Sequence, residues 1–550
     1  MHEIVTLQFG HYANYVGTHF WNTQEGHFSY EQPNEDELEE NRPSQLLNHD
    51  CLYRVGETQK GDATYTPRVL IYDLKGGFGS VKKYNKLYEA LDAQAAQDQV
   101  DLSWDPTRMQ TFQEEEYQRS AYQTHLEAEE EGAAAEEDED KVELDKVNTW
   151  SDFNRVYYHP KSTTALSGYV MGSDIRPFDV FSYGKAAFAE TEKETESYEE
   201  NLRSFAEECD QLQGFQVLTD VLDGWGGFAA AYLEQLREDF PKTSILTYGL
   251  SEQGMAPGAS MRHRQKRMLN ESLAMSCLSE LSTLYVPVQA PSRLNAQGWS
   301  KNLKFNPSNR FHTSALIAAG LDSALLPCRL RRGATLLPDL LGGLNWRNVT
   351  KIGSLSVAMP FPFGGKKLAP MVGPSSPLVD LSCPKVQPDD EIYSHVVVLR
   401  GLEAQQFAKY TVGTPRTPRE VLDELLDSLP ISKSLGDVKI KTPVKYPIPT
   451  SFPRFFQGLT PEGYQAEGSD GQKNERPDGT SIVYSAPVLS RLAITMSTRW
   501  QLQNMSESLR RVDWRLMPEY QGDSPGQGLT DEDFVEVKEL LLNLYDIYDE

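Results

Sequence analysis

Three glycine-rich turns have residue types and a spacing suited to holding a phosphate group. They are QFGHYANYVG at 8–17, DLKGGFGSV at 73–81 and LTDVLDGWGGFAAAYL at 218–233. Each turn begins at the end of a short apolar run that is typical of a β-strand. Unpaired N–H groups at the start of a helix bind anions, and glycine allows a phosphate to approach the backbone closely. Nucleotide binding is therefore the first chemistry that the sequence suggests.

No one of these turns matches a phosphate-binding motif by itself. The segment GGFGSVKK lacks the spacing of a Walker A loop, and it has no third glycine at the dinucleotide-binding position. An isolated glycine turn more often serves the fold, because glycine adopts positive φ at little cost. The loops after parallel strands nevertheless meet in one crevice, so the three turns together predict a single site. Motifs of serine hydrolases, zinc proteases and EF-hands do not occur in the sequence.

The strands that would carry these turns alternate with helical segments. The short apolar runs are EIVTLQF at 3–9, RVLIYDL at 68–74, GFQVLT at 214–219 and SILTYGL at 244–250. Alternation of strand and helix over this length predicts an α/β domain with a doubly wound, mostly parallel sheet and helices on both of its faces.

The second half of the chain predicts further helices and a second group of strands. A helix is predicted over 262–285, and the segment 310–328 is apolar nearly all round, as in a buried central helix. Strands are predicted within 354–361, 394–401 and 490–498, with Pro- and Gly-rich loops between them. The C-terminal TDEDFVEVKELLLNLYDIYDE has a Thr cap, acids in its first turn and one apolar face. It predicts an amphipathic helix that packs on its own domain.

The charge distribution restricts the class of partner. The formal net charge of the chain is -27, which argues against general binding of DNA, RNA or anionic lipid because these polyanions would be repelled. Nearly half of this charge lies in Glu114–Asp145, which has 14 acids against Arg119 and Lys141. So highly charged a run has too little apolar surface to bury, and the region of about 113–146 is predicted to be a solvated insert. The alternative is a docking segment for a basic partner protein.

Cysteine usage and hydropathy indicate a soluble protein in a reducing compartment. The five cysteines are far apart and lack CxxC spacing, so neither a disulfide framework nor a zinc site is indicated. The first residues, MHEIVTLQFGHYANYVG, have the features of neither a secretory signal nor a mitochondrial presequence. No apolar run approaches the roughly 20 residues that span a bilayer. Contact with an organelle is therefore expected to depend on the protein surface or on partners.

The order of several segments resembles that of the tubulins. The start resembles the tubulin amino terminus, TYTPRVLIYDL resembles the strand that follows, and YHP at 158–160 matches an element of α-tubulin. The tubulin strand and glycine-rich signature loop correspond to CDQLQGFQVLTDVLDGWGG. An intermediate-domain strand corresponds to VVVLRG, and the acidic C-terminal helices correspond to LTDEDFVEVKELLLNLYDIY. The resemblance is weak per residue but collinear over nearly the whole chain. This combination looks like the Misato family of eukaryotic tubulin-related proteins, whose fungal members are called Misato-like.

The Misato resemblance implies a tubulin-like fold and a mitochondrial role. The implied parts are a nucleotide-binding-type domain over 1–309, a central helix over 310–328, an α+β intermediate domain over 329–498 and C-terminal helices over 499–550. The implied role is in the partitioning of mitochondria, mitochondrial morphology and mitochondrial DNA inheritance. It would be exerted through protein–protein interactions in the cytoplasm and by peripheral contact with the outer mitochondrial membrane. Tubulin and the cytosolic chaperonin are the partners that the family suggests.

The resemblance also implies the remains of a nucleotide site. The vestigial cofactor-binding residues are Gly10, Asn14, Asp73, Gly224, Gly226 and Gly227. Beside them, His11 replaces a glutamine near the phosphates, and Lys75 stands where tubulin has an acid that organises magnesium. In the signature loop, DGWGGFA at 223–229 stands in place of GGGTGSG. Both hydroxyl groups of that loop are therefore lost, and Asp223 adds a negative charge.

These substitutions oppose the binding and hydrolysis of GTP. Phosphate cradles need bare N–H groups, hydroxyls and small residues, whereas Trp225 brings an indole and Asp223 a carboxylate. Phosphoryl transfer depends on positioning and on a metal, and Gly342 replaces the α-tubulin acid that stimulates hydrolysis, although Asp339 is kept. We therefore predict a pseudo-GTPase without catalytic residues, cofactor or metal, in which Trp225 fills the ancestral phosphate site. The alternatives are GTP or GDP binding without turnover, which Lys75 would assist, and a tubulin-like GTPase that polymerises.

Overall fold

The structure is a computed structural model of the chain. The residues that it describes are 2–28, 46–57, 63–79, 81, 120, 122–124, 147–252, 260–291, 298–345, 347–361, 378–383, 391–401, 420, 438–466, 475–476, 478–521 and 528–549. Most of the predicted acidic insert, about 113–146, lies outside the described residues. Its solvated state and its alternative role in docking therefore stay predictions.

The strands of the described residues form two main sheets and two small pairs. In chain order the strands are β1 (Glu3–Phe9), β2 (Tyr53–Glu57), β3 (Ala63–Pro67), β4 (Val69–Lys75), β5 (Thr163–Val170), β6 (Leu212–Asp220), β7 (Ser244–Ser251), β8 (Leu284–Gln289), β9 (Ser354–Ala358), β10 (Val379–Asp380), β11 (Ile392–Arg400), β12 (Val438–Thr442), β13 (Tyr446–Pro447), β14 (Ser485–Ala486) and β15 (Val488–Thr495). The larger sheet has the order β5-β4-β1-β6-β7-β8 and is parallel throughout. The smaller sheet has the order β10-β9-β15-β11-β12 and is mostly antiparallel.

The order of the larger sheet is that of a doubly wound α/β domain. The chain builds the sheet outwards from β1 through β4 to β5, and then outwards on the other side from β6 to β8. Ligands of such folds bind at the carboxyl ends of the strands where the winding reverses, which here lies between β1 and β6. Phe9 of β1 pairs with Thr219 of β6, so Gly10 and Asp220 are the next residues at this crevice. The predicted doubly wound, mostly parallel sheet is confirmed.

Helices cover both faces of the larger sheet. The α-helices within the described ranges are α1 (His11–Glu25), α2 (Phe181–Thr195), α3 (Arg203–Glu207), α4 (Trp225–Asp239), α5 (Met261–Leu281), α6 (Arg310–Leu325), α7 (Leu337–Leu344), α8 (Thr498–Leu509) and α9 (Asp531–Asp549). Gln8 of β1 lies against Gly17 of α1. The next side chain, Phe9, points to the opposite face of the sheet and packs on Phe228 and Tyr232 of α4.

The helix α6 lies between the two sheets and is buried on every side. Every residue from Phe311 to Leu325 is buried. The helix packs on α1 and also contacts β9, β11 and β15 of the smaller sheet. Ser490 of β15 donates a hydrogen bond from its Oγ to the carbonyl oxygen of Gly320 at 2.9 Å. The predicted buried central helix is confirmed, although its α-helical part ends at Leu325 and a 3-10 turn over Leu326–Arg329 follows.

The C-terminal segment forms a helix with the predicted apolar face. The buried side chains of α9 are Phe534, Val537, Leu541, Leu544 and Tyr548. They pack towards α8 and α5, so α9 covers its own molecule. Among the described residues, none of the helices combines the length and the apolar character that crossing a membrane requires.

One helix prediction is wrong at its C-terminal end. The helix predicted over 262–285 stops at Leu281, and β8 begins at Leu284. Leu284 pairs with Leu246 of β7, and this long-range contact overrides the local helical pattern. The sequence did not predict β5 and β8 of the larger sheet or β10 and β12 of the smaller sheet, whereas the other strands of these two sheets agree within a few residues. The predicted domain boundaries stay predictions.

A buried carboxylate, Asp322 on α6, connects three parts of the fold. It accepts hydrogen bonds from Arg329 after α6 and from Arg400 of β11, each at 2.5 Å, and another from Gln24 of α1. Burial alone would raise the pKa of Asp322, but the two guanidinium groups outweigh burial and lower this pKa to about 2. Both arginines are themselves buried. The network therefore joins the first helix, the central helix and the smaller sheet through buried charges.

We expect Asp322→Ala to lower the free energy of unfolding by about 3–5 kcal/mol, because it leaves two buried guanidinium groups without their counter-ion. Asp531→Ala is the matched control, since its ion pair with Arg515 lies at the surface and such pairs contribute little. Urea unfolding followed by circular dichroism measures both variants. Equal unfolding midpoints for the two variants would contradict the importance of the network.

Candidate functional site

Gly10 connects β1 to α1 at the reversal of the larger sheet. Its φ of 110° lies in a region that only glycine adopts readily. Its N–H donates to the carbonyl oxygen of Tyr72 at 3.2 Å. A Cβ at this position would lie 2.4 Å from Oδ2 of Asp220. Glycine is therefore required here by the backbone and also by the close approach of an acidic side chain.

The carboxyl group of Asp220 occupies the amino end of α1. The N–H groups of Tyr12 and Ala13 donate to its two oxygens at 2.9 and 2.8 Å. These donors belong to the first turn, where N–H groups have no partner within the helix and the helix dipole favours an anion. A bound phosphate would use the same donors. The protein therefore places its own acidic group where the phosphate of a nucleotide would lie.

Asp73, at the end of β4, is surrounded by donors from the protein. Its Oδ2 accepts hydrogen bonds from Nε1 of Trp150 at 2.9 Å and from Nδ2 of Asn14 at 3.1 Å, and it lies 3.2 Å from Nδ1 of His11. Its Oδ1 accepts the N–H of Leu74 at 2.8 Å. The side chain of Asp73 has no exposure to solvent. Its oxygens are therefore used in holding β4, α1 and the segment of Trp150 together.

The acidic groups at the crevice resist negative charge. Burial raises the pKa of Asp220 well above its ordinary value, and nearby Asp223 raises it further, against the effect of the N–H groups of α1. Burial also raises the pKa of Asp223 to about 7, although the N–H of Trp225 and the charge of Arg267 lower it. Raised carboxyl pKa values mean that the surroundings favour the neutral form. A phosphate would bring more negative charge to the same place.

The glycines of the third turn allow helices to pack closely. They are Gly224, Gly226 and Gly227. A Cβ on Gly226 would lie 2.8 Å from Cβ of Ala274 on α5, and a Cβ on Gly227 would lie 1.8 Å from the carbonyl oxygen of Phe181 on α2. These positions therefore need glycine because α4 approaches its two neighbouring helices. The structure brings Gly10, Asn14 and Asp73 together, whereas the glycines of the third turn contact other helices.

Trp225 is the first residue of α4, and its indole lies in the core. Its side chain is 2% exposed, and it packs edge-on against Phe178 and Phe228, with ring centroids 5.1 and 5.4 Å away. Its backbone N–H donates to Oδ1 of Asp223 at 2.9 Å. The side chain at the anion position of α1 is Asp220, which the sequence analysis did not identify. The available signal was the place of Asp220 at the carboxyl end of a strand beside the reversal.

The remaining positions of interest lie apart from Asp220. Lys75 is exposed at the end of β4 and forms no ion pair within the described part of the chain. Asp339 and Gly342 are exposed on α7. The helix α7 is held at the amino end of β6, where the N–H of Leu337 donates to the side chain of Gln213 at 2.8 Å. The acid of α7 therefore lies at the opposite end of β6 from Asp220.

Comparisons with known proteins agree with this architecture. A Misato segment II tubulin-like domain matches residues 2–128, and a tubulin domain matches residues 139–330. The chain is 28% identical to mouse protein misato homolog 1 over 544 residues, which cover 93% of this chain and 92% of the mouse protein. The chain belongs to the Misato family. Its α/β fold is therefore a tubulin-like fold.

Fungal members of the Misato family are more similar but match over a shorter length. Protein DML1 of Phaeosphaeria nodorum is 38% identical over 366 residues, which cover 66% of each chain. Protein dml-1 of Neurospora crassa is 38% identical over 360 residues, which cover 64% of this chain and 62% of the Neurospora protein. The matched part of the chain thus spans a little under two thirds of these relatives.

We expect Asp220→Ala to free the N–H groups of Tyr12 and Ala13 and to lower the free energy of unfolding by about 1–3 kcal/mol. Inorganic phosphate should then raise the unfolding temperature of the variant more than that of the wild type, because it supplies a new acceptor at the start of α1. The wild type in the same buffers controls for the general stabilising effect of phosphate. Equal shifts for both proteins would show that this helix end accepts no phosphate.

We expect Asp223 to contribute stability that is lost as the pH rises from about 4 through 7, because it binds its proton more tightly in the folded state than in the unfolded chain. Asp223→Asn keeps an acceptor for the N–H of Trp225 and removes this titration, so the stability of the variant relative to the wild type should rise with pH over this range. Asp174→Asn, at an exposed position, is the control. Urea unfolding at several pH values gives the slopes, and equal slopes for wild type and Asp223→Asn would refute the effect.

Proposed function

We propose that this protein is a non-catalytic, tubulin-like scaffold that acts by binding other proteins. Its proposed role is in the partitioning of mitochondria, mitochondrial morphology and mitochondrial DNA inheritance. It would act in the cytoplasm and at the outer mitochondrial surface, with tubulin and the cytosolic chaperonin as proposed partners. Membership of the Misato family supports the mitochondrial part of the proposal, and the geometry of the crevice supports the non-catalytic part.

The observation that carries the non-catalytic proposal is the contact of Asp220 with the first turn of α1. The two N–H donors that a phosphate would need already have acceptors, at 2.9 and 2.8 Å. A phosphate forced into this place would also meet a carboxyl group at close range. An ionised carboxyl group about 4 Å from a phosphate charge repels it by about 4 kcal/mol at the effective dielectric constant near a protein surface, and a neutral carboxyl group still occupies both donors. The residues present therefore do not fit a bound nucleoside triphosphate.

The surroundings of Asp73 also oppose phosphoryl transfer. This reaction depends on a metal ion and on accurate positioning of the phosphates. Asp73 is the acid near the carboxyl end of β4, and its oxygens contact Trp150, Asn14 and Leu74. The neighbouring Lys75 is a cation at the surface and is not a metal ligand. We therefore assign no catalytic residue and no cofactor to this crevice.

We expect the protein, purified under native conditions, to carry far less than one guanine nucleotide per chain. Nucleotide extracted by acid and separated by anion-exchange chromatography gives this ratio. Trp225→Gly should lose about 3–5 kcal/mol of stability, as core truncations of large aromatic residues do, and should gain no GTP turnover.

Stoichiometric GDP or GTP in the wild type would overturn the proposal in favour of nucleotide binding. Turnover of GTP above that of a buffer blank, in the wild type or in Trp225→Gly, would favour the tubulin-like GTPase instead. Apyrase treatment before the assay removes carried-over nucleotide and serves as the control for contamination.

A further inference from the structure

A groove lies between α5 and α8, and its lining does not include Asp220. It consists of two adjoining cavities of about 730 and 260 Å³. The two cavities share four lining residues, which are Met268, Glu271, Gln289 and Ser508. They therefore form one continuous depression, named here the α5–α8 groove. It opens at the carboxyl ends of β7 and β8, whose last residues also line it.

The floor of the α5–α8 groove is apolar and rich in methionine. Its apolar lining residues include Leu222, Met261, Met268, Met505 and Val512. Met261 is 72% exposed, although it is a large apolar side chain. Methionine side chains are flexible and polarizable, and they adapt to partners of different shape. This floor therefore suits the apolar side chains of a bound protein segment.

Arginines at the edge of the groove carry positive charge without local compensation. Arg264 and Arg511 line the larger cavity and are exposed. Within the part of the chain that the structure describes, neither forms an ion pair. The chain as a whole has a net charge of -27, so this positive edge is a local feature. Charge complementarity therefore favours an acidic occupant.

The two acidic residues that line the groove do not neutralise the charges of these arginines. Glu252 forms an ion pair with Arg310 at 2.7 Å. Burial raises the pKa of Glu271 to about 7, although Arg267 lowers it. Glu271 therefore carries less negative charge at neutral pH than an ordinary glutamate.

The length of the groove fits a helix better than a compact small molecule. The lining residues of α5 extend from Met261 to Glu271, which is about 15 Å along a helix axis. A partner helix of about three turns has the same length. Helices that bind in such grooves place apolar residues at helical spacing on the floor and polar residues along the edges.

We propose that the α5–α8 groove binds an acidic amphipathic helix of a partner protein. Its apolar face would contact the methionines of the floor, and its acidic side chains would lie beside Arg264 and Arg511. The inference deepens the proposed protein-binding role and rests on it.

The test uses the full-length chain and a fluorescein-labelled synthetic peptide of about 18 residues, with Leu and Met on one helical face and Glu on the other. Fluorescence anisotropy should show saturable binding. The double variant Arg264→Glu/Arg511→Glu should weaken binding by at least about tenfold, because it replaces attraction by repulsion. Arg510→Glu is the matched control, since Arg510 is exposed beside Arg511 but does not line the groove. Its affinity should stay within about twofold of the wild type.

A second variant and two further probes separate this binding from general effects. Met268→Glu places a charge on the floor and should also weaken binding, with circular dichroism showing that both variants are folded. A peptide with Lys in place of Glu should bind at least about tenfold more weakly. Equal binding of the two peptides, or unchanged binding by the double variant, would overturn the inference. Binding of phosphatidylserine vesicles through the same arginines, without peptide binding, would identify a membrane surface instead.

The groove inference and the scaffold proposal fail in different experiments. A protein that binds no acidic peptide and contains no nucleotide contradicts only the groove. A protein that binds the peptide and also contains stoichiometric nucleotide contradicts only the non-catalytic scaffold.

Discussion

The contact between the Asp220 carboxyl group and the first turn of α1 determines the character of the central crevice. It joins β6 to α1 beside β1, and it requires glycine at position 10 because a Cβ there would collide with the acid. In a doubly wound fold this is the place where ligands bind. An acidic side chain from the same chain saturates the donors, so the tubulin-like frame is kept while its anion site is occupied internally.

Two buried carboxyl groups show how the surroundings determine the properties of one residue type. Asp322 lies between two guanidinium groups, which lower its pKa despite burial. The N–H groups of α1 oppose the effect of burial on Asp220, but acidic neighbours add to it, so the pKa of Asp220 rises. The first group, as an ion, connects the first helix, the central helix and the smaller sheet. The second occupies the crevice most favourably when it is neutral, which is the opposite of what an anion-binding site requires.

Because Asp220 occupies the donors of the crevice, the proposed binding of partners would use the surface of the molecule. A chain with a net charge of -27 presents exposed arginines beside an exposed methionine along the α5–α8 groove. Residues of α8, with Arg511 and Val512 after it, form one wall of this surface. The proposed protein-binding role thus has a proposed location, the α5–α8 groove, whose lining does not include Asp220.

The sequence by itself determined the class of fold and most strands of its two main sheets. Apolar runs and helical periodicity are local properties, so β1, the buried central helix and the C-terminal helix could be predicted within a few residues. The positions of Gly10, Asn14 and Asp73 around one crevice also followed, because strand ends converge in this fold. Only the tertiary structure decided that the side chain of Asp220 contacts the first turn of α1, since its partners Tyr12 and Ala13 are more than 200 positions away in the chain. A local pattern contains no information on such a contact. The strand at Leu284 depends in the same way on its long-range pairing with Leu246, which the local helical pattern does not indicate.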